Sequence, residues 1–406
     1  MPTDHDETPT FAPHNGTRLA AARAARGWTQ SRLAMETNFS LAAIKAYERG
    51  ARSLDRPANI LSLARALKCH PTDITGAPYY APGSDDGAVS AIKRELLRYN
   101  RAPRLTEAQA REVDLAELRA RVAEANAWRQ AAAMTRTGEV LPDLLLDTRI
   151  ATHILESDDR REAYGLLCSA YEAAMQYLYK MGLVSDATLA TERVLWAAER
   201  TEDPLRMLAA RWYESGEYIG IGEHDEAATI LDDGLAELSK PQHRDDPLSL
   251  SLAGAYHLKA SLNSARAYDG DAAWAHWAKA EESANELGGD RNDFELVFGP
   301  TNVAIWGVSL PVELGRGRDA VRRLERIVLP QDYSRERRSH FHIDAGRAHY
   351  LAGDHDSAWD AFEYAERLAP QHARMHPSVR ENVRLMTAKY RRSGRRMEFA
   401  RRVGVA

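Results

Sequence analysis

Cysteine is nearly absent from this 406-residue chain: Cys69 and Cys168 stand far apart, outside any CxxC or Cys/His spacing. Neither a disulfide framework nor a zinc site has support, and a reducing compartment fits. Long apolar runs are missing too. No stretch approaches the roughly 18 residues needed to cross a bilayer, and the acidic segment 1–15 lacks the basic start and apolar centre of a leader. A cytoplasmic protein with no membrane association is expected. Strand-like alternation is scarce, and Gly and Pro gather between stretches filled with Ala, Leu and Arg, so the expected fold class is all-α. Signatures of catalysis are also lacking: there is no GxGxxG, Walker A, GxSxG or paired-acid arrangement. The fourteen histidines include no HExxH, and His340 and His342, two apart, point to different sides of a helix. No enzyme, cofactor or metal is therefore expected.

What is present divides the chain. The length calls for two or more cores, and the net charge of −5 is unevenly spread. Residues 17–75 hold ten Lys/Arg against four Asp/Glu, leaving the remainder acidic. A basic module beside an acidic body suggests a polyanion partner for the module alone. Five short helices are expected within 17–76. Thr17, Thr29 and Ser40 are candidate N-caps and Gly27 and Gly50 stops; Asn38 suits a left-handed turn, and Pro57 and Pro71 open the fourth and fifth helices. Leu33, Thr37, Ile44, Tyr47, Ile60, Leu63, Ala64 and Leu67 face inward in that reading. The stretch 76–87, GAPYYAPGSDDG, is dense in Pro, Gly, Ser and Asp, and 77–88 reads as the linker.

Connecting helices are expected across 89–160, one near 89–99 and a charged, Ala-rich one near 106–134. From 161 to 390 the chain repeats a motif of small residue, about twelve residues, small, large apolar, small. The clearest copy runs through Gly346, Gly353, Ala358, Phe362 and Ala365 to Pro370. Others place Ser215, Gly222, Ala227, Leu231 and Gly234; Ser261, Ala273, Trp277 and Ala280; and Gly315, Ala320, Leu324 and Ile327. A fainter copy holds Ala190, Val194 and Ala197. Small residues suit close crossing of two helices, and the large one fills the gap to the next pair. Residues 391–406 read as a basic C-terminal tail.

These patterns resemble two known families. The spacing Gln30, Leu33, Ala34, Asn38, Ile44, Glu48, Gly50 is similar to the Cro/C1-type (XRE-family) helix-turn-helix. The C-terminal half resembles tetratricopeptide repeats, GDHDSAWDAFEYAERLAP at 353–370 being the best copy. Together with GPTNVAIW at 299–306, the arrangement resembles actinobacterial regulators that join such domains. In architecture it is also similar to the peptide-sensing repeat regulators of Gram-positive bacteria. The resemblance implies a five-helix DNA-binding domain followed by a tetratricopeptide-like α-solenoid, acting as a transcription regulator.

It also implies where double-stranded DNA would sit. Gln30 takes the phosphate-contacting position, and Ser40, Leu41, Ala42, Lys45, Ala46 and Arg49 fall on the exposed face of the reading helix, with Arg52 following. Leu41, Ala42 and Ala46 stand where hydrogen-bonding side chains are usual, which limits direct base readout to Lys45 and Arg49. Two readings stay open: close approach to thymine methyls with readout of DNA shape, or a face that packs on protein in an interaction scaffold. One short helix offers few base contacts, so a homodimer pairing two half-sites is expected. The solenoid groove, as a site for a peptide, small molecule or protein partner, would be lined by Trp212, Asn302, His340, Arg347 and Tyr350. Asn302 suits a peptide backbone and Arg347 a carboxylate.

Overall fold

The computed structural model describes residues 13–76, 86–103, 113–243, 246–390 and 393–406. All regular elements among them are helices, apart from one isolated bridge between Arg291 and Phe298.

Five helices build the N-terminal domain: α1 (Asn15–Ala25), α2 (Gln30–Met35), α3 (Leu41–Glu48), α4 (Pro57–Leu67) and α5 (Pro71–Thr75). The hydroxyls of Thr29 and Ser40 accept from the Arg32 and Ala43 amides and satisfy free N–H groups at the starts of α2 and α3. Pro57 and Pro71 sit in first turns, where a missing N–H costs nothing. Leu19, Leu33, Ile44, Tyr47, Leu54, Leu63 and Ile74 form the core. Two local expectations change. The cap of α1 is His14, not Thr17, since Asn15 and Gly16 are already buried in the first turn: Asn15 Nδ2 donates to Leu54 O at 2.9 Å, and a Cβ on Gly16 would lie 1.8 Å from Tyr47 O. Asn38 is not left-handed, so α2 reaches α3 by an ordinary turn. Thr37 is only half-buried and bonds back to Leu33 O at 2.7 Å.

The body begins with α6 (Asp86–Leu97), α7 (Leu115–Gln130) and α8 (Met134–Ile154). The linker expected at 77–88 lies largely outside the described residues, as does the start of the helix expected at 106–134. That helix stops at Gln130 because Ala132 is left-handed (φ 57°), which turns the chain into α8. Next come α9 (Ser157–Lys180), α10 (Val184–Glu199), α11 (Pro204–Ile221), α12 (His224–Leu238), α13 (Pro247–Arg266), α14 (Gly270–Leu287), α15 (Pro300–Glu313) and α16 (Gly317–Leu324). The last five are α17 (Arg335–Ala352), α18 (His355–Leu368), α19 (Pro370–Met375), α20 (Pro377–Tyr390) and α21 (Gly394–Arg402).

From α9 to α18 the helices pair as successive hairpins of a solenoid-like body. The small residues of the sequence motif lie where helices cross. Ala190, Ala197, Ser215, Ala227, Ser261, Ala273, Ala280, Ala320, Ala358 and Ala365 are fully buried. A Cβ on Gly346 would meet the Phe362 ring at 2.5 Å, and one on Gly234 the Tyr256 ring at 2.1 Å. Residues 393–406 are no free tail: Phe399, Ala400, Val403 and Val405 bury themselves against Trp359, Phe362 and Val383. Three arginines of α21 bond to the body: Arg395 to Glu363, Arg402 to Glu366 (3.0 and 3.1 Å) and Arg396 to Asp356 (2.6 Å).

The body curls until its ends meet. Gln130 Nε2 donates to Glu295 Oε2 at 2.7 Å, Ser334 Oγ to Gln130 O at 3.1 Å, and Gln371 Nε2 to Thr135 Oγ1 at 3.2 Å. The N-terminal domain docks along one rim. Arg65 Nη2 donates to Gly222 O (2.8 Å) after α11, Tyr268 Oη to Asn59 Oδ1 (3.0 Å), Arg56 Nη1 to Glu313 O (3.1 Å), and the Asn15 amide to Glu381 Oε1 (3.0 Å). Those body residues end or follow α11, α13 and α15, or lie in α20, so the domain spans several consecutive hairpins.

Candidate nucleic-acid interface

Docking uses α1, the loop between α3 and α4, and α4, which leaves α2 and α3 facing outward. Ser40, Ala42, Lys45 and Arg49 are exposed on α3, and Leu41 and Ala46 are half-buried beside them. Ile44 and Tyr47 point inward, Tyr47 edge-on to Phe39 with ring centroids 6.0 Å apart. The Tyr47 hydroxyl accepts from Asn59 Nδ2 at 3.0 Å, so a buried hydrogen bond fixes how far α3 projects. The Lys45 side chain is exposed to solvent. Arg49 folds back, its Nε donating to Lys45 O at 3.2 Å, and the Arg52 guanidinium lies 5.2 Å from the Tyr47 ring centroid. The expected residues therefore share one surface, with two cations parked along it.

Gln30 is held more firmly than its expected role required. Its Nε2 donates to Glu48 Oε2 at 2.7 Å, and Glu48 in turn takes a two-pronged bond from Arg23 at 2.6 and 2.9 Å. Glu48 thus ties the end of α3 to α1 and to the first residue of α2. One amide proton of Gln30 is used, and the other remains for a phosphate oxygen. Two cations that sequence reasoning left out flank this edge. Arg26 and Arg32 lie over the Trp28 ring at 4.6 and 4.8 Å, placing positive charge beside the start of α2. An arginine two residues before and another four residues after Trp28 were the available signal.

The five groove residues are largely engaged by the chain's own groups. Trp212 Nε1 donates to Ala255 O at 2.9 Å and its ring carries the Lys259 ammonium at 3.5 Å, so it braces α11 against α13. Asn302 is buried: its Nδ2 donates to Val297 O at 2.6 Å and its Oδ1 accepts from Arg337 Nη2 at 2.7 Å. Tyr350 tilts on His355 with centroids 5.0 Å apart. His340 and Arg347 do lie together on α17. The carboxylates that Arg347 takes belong to the protein itself: Asp55 at 3.2 Å, Glu313 at 3.0 Å and Asp344 at 3.0 Å. Burial alone would raise the Glu313 carboxyl, but Arg347, Arg266 and Arg56 outweigh it and hold it at about 2. His342 faces away, against Tyr364 at 4.4 Å.

Residues 16–75 match the profile of a family described as a helix-turn-helix domain. No curated protein matches the chain. Among solved structures, the chain is similar to the crystal structure of BtubC (BKLC) from P. vanneervenii. The two are 17% identical with a TM-score of 0.35, over 60% of this chain and 91% of that one. So loose a likeness transfers neither fold detail nor role.

Proposed function

We propose that this chain is a sequence-specific, DNA-binding transcription regulator of the XRE type, which works in the cytoplasm as a homodimer. Its body, of tetratricopeptide-type hairpins, senses a peptide, a small molecule or a partner protein. The observation that carries the reading is the division of faces on the helix-turn-helix domain: one side is docked on the body, while Ser40, Ala42, Lys45 and Arg49 on α3 stay open to solvent. A helix offered in this way fits a major groove, with Lys45 reaching a guanine edge and Ala42 close to thymine methyls. Arg32 and Arg52 add positive charge to the same edge. Docking couples that helix to the body, so a change in how the hairpins stack re-aims the reading heads of a dimer. Footprinting on genomic fragments tests this: a few protected sites with two-fold symmetry support it, and uniform weak binding removes it.

The apolar Leu41, Ala42 and Ala46 favour a second reading, an interaction scaffold whose α3 face packs on protein. Salt dependence separates the two. A regulator loses affinity steeply as salt rises, whereas a scaffold shows no DNA footprint at any salt.

A further inference from the structure

Where the first and last parts of the body meet, they enclose a polar cluster rich in unused donors. Lys180, ending α9, pairs with Glu336 in α17 (Nζ to Oε1, 3.3 Å), their side chains only 8% and 13% exposed. Arg337 and His340 of α17, His372 of α19 and His376 complete it, with imidazole centroids 5.7 to 6.1 Å apart. Arg337 Nε, His372 Nε2 and His376 Nδ1 are buried with no hydrogen-bond partner among the described residues, and Lys180 Nζ has only its ion pair with Glu336. Each buried, unsatisfied polar atom costs about 1–3 kcal/mol. Three of them beside one ion pair are a large burden unless something outside the chain meets them. The His340 ring keeps 32% of its surface accessible although these groups surround it, so the space beside it is open.

The chemistry selects the occupant. Among the described residues no three His, Cys, Asp or Glu are arranged to hold a metal ion. Two cations, Lys180 and Arg337, face the Glu336 carboxylate, while Asp344 beside His340 is already held by Arg347 and Ser309, and a neutral imidazole can donate from either nitrogen once its tautomer is chosen. We propose that this cluster is the ligand subsite of the body and that it takes an oxyanion, the carboxylate or phosphate of a small ligand, on Lys180, Arg337, His372 and His376. The proposal rests on the sensing role argued above and gives it a location. It also supplies a route to the DNA-facing domain. His340, Asp344 and Arg347 follow one another at helical spacing on the inner face of α17. His340 Nε2 is 3.7 Å from Asp344 Oδ2, and Arg347 Nη1 is 3.0 Å from Asp344 Oδ1. Arg347 then reaches Asp55, in the loop after α3. An anion beside His340 favours its protonated form, which draws Asp344 from Arg347 and loosens the hold on Asp55.

Calorimetric titration of the full chain with inorganic phosphate and, separately, acetate tests the site. At least one should bind once per chain with a Kd of about 1 mM or tighter, and which one binds names the group. The paired variant Lys180→Met/Glu336→Gln, which leaves no lone buried charge, and the single variant His372→Gln should each weaken that binding at least about tenfold, by about 1.4 kcal/mol. Two variants guard against a folding defect in either, read by circular dichroism. The absence of heat from both anions, or unchanged affinity in the variants that fold, overturns the proposal. Footprinting on the same wild-type preparation keeps the two readings apart. A footprint without anion binding removes only this subsite, and anion binding without a footprint removes only the regulator.

Discussion

Arg347 in α17 and Asp55, in the loop between α3 and α4, lie 3.2 Å apart (Nε to Oδ2) although 292 residues separate them in the chain. Asp55 Oδ2 also accepts from Asn382 Nδ2 at 3.1 Å. The loop that follows the outward-facing helix is therefore held from two elements of the body. Arg347→Ala leaves Asp55, Glu313 and Asp344 buried without their shared cation, and the expected loss in urea unfolding is about 3–5 kcal/mol. Asp55→Asn keeps the shape and should cost about 1–3 kcal/mol. If the contact couples the two parts, Asp55→Asn also speeds amide exchange in α3. Unchanged exchange there would show the contact to be merely structural.

The Lys45 side chain is exposed on α3. Lys45→Ala should therefore leave the melting temperature within about 2 °C of wild type while removing the footprint, since a surface change away from packing alters stability by less than about 0.5 kcal/mol. Arg52→Ala, which takes one cation from over Tyr47, should weaken binding across all sequences and lower the salt slope by about one. A footprint that survives Lys45→Ala would show that other residues of the domain read the site, and a wild type with no footprint would point to the scaffold reading.

Much of the helix-turn-helix domain was legible because its signals are local. The hydroxyls of Thr29 and Ser40 cap their helices, Pro57 and Pro71 sit in first turns, and Ile44 with Tyr47, and Ile60 with Leu63, Ala64 and Leu67, recur at helical spacing. The start of α1 was misread because burial of Asn15 and Gly16 against Leu54 and Tyr47 overrode the local preference for Thr17. The polar cluster left no local trace: Lys180, Glu336, His372 and His376 are assembled only when the body curls on itself. Arg347 looked like a free carboxylate binder because two of its partners, Glu313 and Asp55, come from distant elements, Asp55 from the other domain.

Gly346 tests the hairpin packing. Its missing Cβ admits the Phe362 ring, which would stand 2.5 Å from an added methyl. Gly346 is helical, so Ala would gain helix propensity of about 1 kcal/mol if nothing were in the way. The clash should win, giving a net loss of about 1–3 kcal/mol. Gly353→Ala, with open space but φ at 88°, should lose stability through backbone strain alone. A stabilised Gly346→Ala would mean that α17 and α18 cross less closely than described.

The pH dependence of stability follows from the same buried histidines. Burial, then Lys180, His340 and Arg337, lower the His372 pKa to about 3 from an ordinary 6.5, Glu336 opposing. The folded chain thus prefers the neutral ring, and this contribution to stability is complete above pH 6.5 and is lost as pH falls towards 3. Glu381 works the other way. Burial raises its carboxyl to about 7, against Arg384 and the Asn15 amide, so its stabilising protonated form gains as pH falls from about 7 to 4.5. The raw melting curve mixes both, and a comparison isolates one. Between about pH 7.5 and pH 5, wild type should lose about 1–2 kcal/mol relative to His372→Gln, the most that protonating one histidine in the unfolded chain supplies over that range. Parallel curves for the two proteins would mean that His372 takes up its proton in the folded chain as easily as in the unfolded one, and so does not lie in the enclosed, donor-rich surroundings described for it.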